Sequence, residues 1–253
     1  MVDAFLIKGL NGAKKLSGTI SVNGSKNAAL PALALPFLFA DTVILENVPA
    51  LEDIYRVEEL LKALGVSCKK TGPRRHEFLA RTASLTALSP EIAKRLRASI
   101  LFTGPLLARF GSVSFPHPGG CVIGERPIDL FLEGFKKMGA SIDETDGMYH
   151  LMAPKNGLQG ARIFFRTQSV TAAETFLMTA VLARGKTILE NVPVEPEIGE
   201  LISFLNNHGA RISGAQTNRL EIIGGEVLKA RGAIHTIIPD RIETGSFLIL
   251  SAL

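Results

Sequence analysis

Apolar residues recur along the chain in two patterns, and their alternation lays out the expected elements. The first is a near-continuous run at 28–40, which predicts a buried helix. That run contains Pro31 and Pro36 and falls short of the ~20 residues a bilayer span needs, so it reads as a core element. The second is a stripe: Ile54, Val57, Leu60, Leu61 and Leu64 stand at helical spacing and predict an amphipathic helix with one face on the core. Gly65, Gly139 and Gly209 follow stretches of this kind and suit the residue just past a helix end. Short β-branched-rich segments at 42–46, 141–143, 187–190 and 220–223 predict strands.

The pattern repeats. Ile44-Leu45-Glu46-Asn47-Val48-Pro49 recurs unchanged as Ile188-Leu189-Glu190-Asn191-Val192-Pro193. In the same register Gly65 falls opposite Gly209, and Ser25 opposite Ser169. A fainter copy lies between them. Arg97-Ala98-Ser99-Ile100 opens an apolar stretch as Lys26-Asn27-Ala28-Ala29 does, and Phe135 to Ala140 closes a helix as Leu61 to Val66 does. Self-similarity of this length implies internal duplication. The expected fold is therefore α/β, with three βαβαβ-like repeats over about residues 20–230 around one pseudo-threefold core. Three apolar helices would form an inner set and three amphipathic ones an outer set. The starts of the inner set, at Lys26-Asn27, Arg97 and Ser169-Val170, would then be equivalent positions and a place to look for a ligand.

Composition narrows the function. The 253 residues carry a net charge of only +4, with no Trp and two Tyr. Dispersed Lys and Arg favour small anionic ligands over nucleic acid, and the lack of aromatics argues against base stacking. Two cysteines, Cys68 and Cys121, make no disulfide framework and fit a reducing compartment. Cys68 reads as a small core residue. The five histidines show no ligand spacing, so no metal is expected. Met1 to Lys8 has no signal-peptide core, and the chain is expected to be cytoplasmic, without membrane insertion.

One stretch concentrates the candidate chemistry: Pro118-Gly119-Gly120-Cys121-Val122-Ile123-Gly124-Glu125-Arg126-Pro127-Ile128-Asp129-Leu130. It puts a thiol on a glycine-rich loop and then opens a helix, with Pro127 and Asp129 in its first turn. Arg126 could favour the thiolate of Cys121 and suits a phosphate at a helix start. By spacing alone a surface loop with an incidental cysteine fits equally well. Lys26-Asn27 could be an anion site or simply a helix start, and Arg97 could be a solvated face. The pair Asp240-Arg241 reads as a structural ion pair at a domain junction. The closing run 242–253 looks like the start of a fourth inner helix without a cap, so the chain is expected to be C-terminally incomplete.

These motifs together resemble the UDP-N-acetylglucosamine 1-carboxyvinyltransferase family. They are Gly24-Ser25-Lys26-Asn27-Ala28-Ala29-Leu30-Pro31, Arg97-Ala98-Ser99-Ile100 with Gly104-Pro105-Leu106 and Ala108-Arg109-Phe110-Gly111, the loop at 118–130, Glu195-Pro196-Glu197-Ile198, and Pro239-Asp240-Arg241-Ile242-Glu243-Thr244-Gly245. The resemblance implies an inside-out α/β barrel of enolpyruvyl-transferase type, with two domains of three repeats each. Residues 23–238 would be the complete first domain. Residues 1–22 would be an N-terminal strand region of the second, and 239–253 the start of its truncated remainder. The implied reaction moves the enolpyruvyl group of phosphoenolpyruvate to the 3-hydroxyl of UDP-N-acetylglucosamine and releases phosphate, with no metal or organic cofactor. Cys121 matches the family's proton donor, which can also hold a covalent adduct with phosphoenolpyruvate. Lys26, Asn27 and Arg126 match its phosphoenolpyruvate site. Arg97, Arg126, Pro127, Ile128, Asp129 and Leu130 match the nucleotide-sugar site, and Thr167, Gln168, Ser169 and Val170 a second uridine-diphosphate contact. The sequence departs from the pattern at the lead-in Phe115-Pro116-His117-Pro118, at Phe131, at Thr171 and at Val194. Two rival expectations stand beside this one: a shikimate-pathway enolpyruvyl transferase, and a non-catalytic nucleotide-sugar-binding domain.

Overall fold

The computed structural model describes residues 4, 6–9, 12, 17–80, 86–119 and 127–252. The first repeat comprises helix α1 (Lys26–Ala32), a 3-10 turn (Leu35–Leu38), strand β1 (Val43–Glu46), helix α2 (Glu52–Ala63) and the hairpin β2 (Ser67–Gly72) and β3 (Arg75–Leu79). The second has a short α3 (Pro90–Ala93), a 3-10 segment (Arg97–Phe102) running into α4 (Thr103–Phe110), then β4 (Ser112–Pro116), α5 (Asp129–Lys137), β5 (Ser141–Thr145) and β6 (Met148–Met152). The third runs β7 (Arg162–Phe164), α6 (Val170–Leu182), β8 (Lys186–Glu190), α7 (Pro196–Asn207), β9 (Arg211–Ser213) and β10 (Arg219–Ile223). Strand β11 (Ile234–Thr236) and helix α8 (Arg241–Ala252) follow.

Two helix sets are present. In α6 ten consecutive residues, Ala172 to Val181, are buried, and α4, α6 and the two 3-10 segments pack on one another. The outer helices bury one stripe only, which in α2 is Ile54, Val57, Leu60 and Leu61. Gly65, Gly139 and Gly209 have φ of +84°, +90° and +101°, the left-handed conformation that ends a helix most cheaply at glycine. The run at 28–40 departs from the expected single helix. Pro36 lacks a backbone N–H and restricts the residue before it, so the run divides into α1 and a 3-10 turn. The third repeat has no proline here, and α6 continues unbroken for 13 residues.

The duplicated hexapeptide has a physical explanation. Asn47 and Asn191 both adopt a left-handed backbone, φ +56° and +60°, which asparagine tolerates better than most residues. Each amide then donates to a carbonyl on the strand alongside, Asn47 Nδ2 to Ile237 O at 2.9 Å and Asn191 Nδ2 to Phe165 O at 2.8 Å. The preceding glutamates face equivalent arginines, with Arg75–Glu46 at 2.8 Å and Arg219–Glu190 at 3.7 Å. Val48 and Val192 are buried. The hexapeptide thus ends a strand, pins it to its neighbour and starts an outer helix.

Each sheet has a parallel neighbour at one edge, and only the first repeat takes it from elsewhere in the chain. The third repeat's sheet has order β7-β8-β10-β9, with β7 parallel to β8. The first has the same plan, β11-β1-β3-β2, but its parallel strand β11 comes from beyond the third repeat. In the second, β4-β6-β5, Ala87 bridges in parallel to Ser114. The repeats are therefore βαβαββ, closed in a ring at β11.

The ring's seam holds a buried histidine and a half-buried glutamate. His235 on β11 is pushed down to about 4 by burial, with His208 adding to it. Glu200 on α7 is pushed up to about 7 by burial, although a hydrogen bond from the backbone of Ile238 opposes this. His235 Nε2 lies 3.6 Å from Glu200 Oε1, and burial drives both toward their neutral forms, so the contact is not an ion pair. The signs oppose. Glu200 is raised in the fold, so its contribution is present below about 4.5 and is lost as pH rises through about 7. His235 is depressed, so its contribution is present above about 6.5 and is lost as pH falls towards 4. The parent chain should therefore show little net slope from these two. Glu200→Gln should be more stable than the parent at pH 8, by about 1–3 kcal/mol, and nearly equal to it at pH 4.5. Thermal melts at the two pH values check this, and an equal shift at both would refute it.

Candidate functional site

The starts of the inner helices meet at one cavity of about 390 Å³. Ser25 caps α1, its hydroxyl accepting from Ala28 N at 3.3 Å, and Ser169 caps α6 in the same way from Ala172 N at 3.2 Å. These caps fix where the next residues point. Lys26, Asn27, Arg97 and Val170, the expected equivalent positions, all line the cavity. Lys26 Nζ pairs with Asp53 Oδ2 at 3.1 Å, at the start of the outer helix α2. Lys26, Asn27 and Asp53 also line a second cavity of about 680 Å³, which runs on towards Asp240 and α8.

The junction after β11 holds the start of α1 in place. Ser25 N donates to Ile238 O at 2.7 Å, and Lys26 N to Asp240 Oδ2 at 3.3 Å. Asp240 also caps α8 by accepting from Ile242 N at 2.8 Å and Glu243 N at 3.1 Å. Burial alone would raise its carboxyl, but these backbone donors hold it below the usual range. The expected pairing of Asp240 with Arg241 is corrected in one respect. Arg241 Nε instead donates to Glu197 Oε1 at 3.0 Å, because the cap turns the Asp240 carboxylate to the backbone.

Among the other expected site residues, Cys121 and Arg126 lie outside the described residues, but the root of their loop does not. A Cβ on Gly119 would stand 1.7 Å from Lys94 O, so the chain passes there only as glycine. Gly119 is thereby packed on the segment that supplies Arg95 and Arg97 to the cavity. Pro127 precedes α5 rather than entering its first turn, Ile128 is the buried residue before the helix, and Asp129 opens it. None of Pro127, Ile128, Asp129 and Leu130 lines the 390 Å³ cavity, nor do Thr167, Gln168 and Ser169. Thr167 and Gln168 are exposed, and Gln168 donates to Asn191 Oδ1 at 3.3 Å. Phe131 packs in the core against Phe176, with ring centres 6.3 Å apart. His117 is exposed. Cys68 is half-buried, and burial pushes its thiol up to about 11, which makes it unreactive.

Sequence reasoning missed the acidic side of the cavity. Asp53, Glu174, Glu195 and Glu197 line it together with Arg95. Glu174 left one signal: it is the single charged residue within α6. A larger groove of about 770 Å³ flanks α7, but no Lys, Arg or His lines it, so it is a poor place for an anion. Among the described residues no cluster of His, Cys, Asp and Glu could hold a metal ion, and no helix is long and apolar enough to cross a membrane.

A family model for EPSP synthase (3-phosphoshikimate 1-carboxyvinyltransferase) matches residues 10–253. UDP-N-acetylglucosamine 1-carboxyvinyltransferase 2 of Carboxydothermus hydrogenoformans is 46% identical over 95% of this chain and 56% of its own length. UDP-N-acetylglucosamine 1-carboxyvinyltransferase of Finegoldia magna is 42% identical over 94% of this chain and 56% of its own. The chain thus spans little more than half the length of these relatives. Among solved structures, the enolpyruvyl transferase NikO from Streptomyces tendae superposes with a TM-score of 0.78 at 22% identity, over 94% of this chain and 55% of that one. EPSP synthase from Acinetobacter baumannii gives 0.73 at 18% identity, over 93% and 52%. The ring of repeats is therefore the fold of the enolpyruvyl transferases.

Proposed function

This chain belongs to the EPSP synthase (3-phosphoshikimate 1-carboxyvinyltransferase) family, and from that premise we propose that it carries one wall of an active site for enolpyruvyl transfer to UDP-N-acetylglucosamine, the committing step of peptidoglycan synthesis. The observation that carries this reading is the single cavity lined by Lys26, Asn27, Arg97 and Val170, each at the start of an inner helix. Three chain segments that the repeats make equivalent meet in one place, and two of them bring Lys26, Asn27 and Arg97 to it, the cations and amide that an anionic substrate requires. The choice of sugar acceptor rests on the relatives at 42–46% identity and on the Pro118-Gly119-Gly120-Cys121 loop, which shikimate-pathway enzymes do not use.

In the proposed reaction the sugar 3-hydroxyl gives its proton to a general base and its oxygen bonds to C2 of phosphoenolpyruvate, whose methylene carbon takes a proton from Cys121 and leaves the thiolate. The resulting tetrahedral intermediate then returns a proton from that carbon to the Cys121 thiolate. The C2–O bond to phosphate breaks, the double bond is restored, and phosphate leaves. Lys26, Arg126 and Asn27 would hold phosphoenolpyruvate. Arg97, Arg126, the segment 127–130 and the segment 167–170 would hold the nucleotide sugar. Positive groups fixed around the reacting carbon favour charge that develops there.

Residues 23–238 would be the first domain, with 1–22 and 239–253 belonging to a second. The face of α8 supports this, since Leu248 and Ile249 are 64% and 66% exposed on a helix with no buried residue. The remainder of that second domain would be the chain's partner, so the activity belongs to the whole protein.

The test is phosphate release from phosphoenolpyruvate by the full-length protein, with UDP-N-acetylglucosamine or shikimate 3-phosphate as acceptor. Release dependent on the nucleotide sugar is expected. Release with shikimate 3-phosphate alone would overturn the choice of acceptor. Binding of the nucleotide sugar with no turnover would make this a binding domain.

A further inference from the structure

The cavity at the inner-helix starts contains an acid that enolpyruvyl transfer does not use. Glu174 stands in α6, whose other residues are uncharged, and it is only 3% exposed. Across the cavity Glu197 is 2% exposed at the start of α7, and Glu195 precedes the same helix. Among the described residues, Glu174 Oε1, Glu195 Oε2 and Glu197 Oε2 are buried and find no hydrogen-bond partner. Glu197 has Arg241 as a partner, whereas no described cation is paired with Glu174. A buried carboxylate left this way is costly and most cheaply keeps its proton.

α6 packs on α4, α5, α7, β8, β10 and the 3-10 segments Leu35–Leu38 and Arg97–Phe102. The charged side chains of α4, α5, β8 and β10 do not line the cavity. Those that do are Lys26, Arg95, Arg97 and Arg241 on the basic side, and Asp53, Glu195 and Glu197 with Glu174 on the acidic side. Lys26 is 3.1 Å from Asp53, Arg241 is 3.0 Å from Glu197, and Arg97 is also engaged.

We propose that Glu174 is an uncharged carboxylic acid in the wall of this cavity, and that its state sets the cavity's charge. With Glu174 neutral, the wall carries one negative charge fewer and an anionic ligand is admitted. With Glu174 ionised that charge is restored, and the anion loses its advantage. Burial, and then the charges of Glu197 and Glu195, push this carboxyl well above the ordinary range, which agrees with the geometry. Glu174 is on this account a positioning residue, acting through charge rather than by touching a reacting atom. The role rests on the anion-binding reading above, whereas the neutral acid does not.

Two measurements test it on the parent chain and on Glu174→Gln, which keeps the shape and removes the titration. Infrared spectra at neutral pH should show the carbonyl stretch of a protonated carboxyl in the parent and lose it in Glu174→Gln. Affinity for inorganic phosphate and for phosphoenolpyruvate should fall about tenfold in the parent as the pH is raised through the loss of that band, one charge in the wall having an effect of this order. Glu174→Gln should not show that fall. The comparison is made where the ligand's own charge is constant, and any titration of Lys26 is common to both proteins. Absence of the band, or the same alkaline fall in both proteins, would overturn the proposal. Absence of anion binding at every pH, with the band present, would overturn the role and the anion-site reading together, and would leave the neutral acid standing.

Discussion

Replacing Phe176 by alanine is expected to destabilise the fold by about 3–5 kcal/mol. Phe176 is fully buried on α6. Its ring centre lies 5.0 Å from that of Phe135 on α5, 6.1 Å from Phe165 beyond β7, and 6.3 Å from Phe131. The site is shaped around the ring, because a Cβ on Gly134 of α5 would stand 2.1 Å from it. Truncation would remove the apolar contact of three aromatic partners at once and leave a hole that three rigid rings refill poorly. Neighbouring backbone would have to move to close it. Denaturant unfolding should show a lower midpoint with an unchanged slope. A loss under about 1 kcal/mol would mean that the core collapses around the gap, contrary to the packing described.

Lys26→Ala should do the reverse. Its ion pair with Asp53 joins side chains 45% and 42% exposed, and pairs this accessible are worth about 0–1 kcal/mol. The unfolding midpoint should therefore hardly move. Binding of phosphoenolpyruvate should weaken about tenfold to a hundredfold, since a hydrogen bond to a charged group is worth about 1.5–3 kcal/mol. Lys26→Arg keeps the charge but changes its shape, and should recover only part of the affinity. Unchanged affinity in Lys26→Ala would remove Lys26 from the site, whatever the fold. The two substitutions separate what holds the molecule together from what it holds.

Much of the site was legible because duplication makes equivalent positions visible. Ser25 and Ser169 align in the sequence and both cap inner helices. That alignment brings Lys26-Asn27 and Val170 to one cavity, with Arg97 from the faint middle copy. The acids were not legible. Glu195 and Glu197 stood in a recognised motif, but nothing in their spacing says that they turn inward. Glu174 interrupts an apolar run, and nothing in that run says that it is buried. Its burial depends on α7 closing over it, a contact between segments some twenty residues apart. The division of the first inner helix was readable in principle from Pro36, but an apolar run does not say where its hydrogen bonds stop. The strand exchange was hidden for a different reason. β11 is adjacent in sequence to the third repeat, while its partner β1 lies at the start of the first.

That exchange has a consequence for how the chain is made. A ribosome delivers the residues of β1 long before those of β11, so the first sheet emerges incomplete. Until residue 236 is available, the edge of β1 that β11 will cover has unpaired N–H and C=O groups and could pair with another nascent chain. The pairing of Ile44 with Ile234 spans nearly the whole described ring, and contacts so distant in sequence close slowly. Synthesis that pauses before β11 would leave two complete sheets beside one open edge, the form of this molecule most exposed to aggregation.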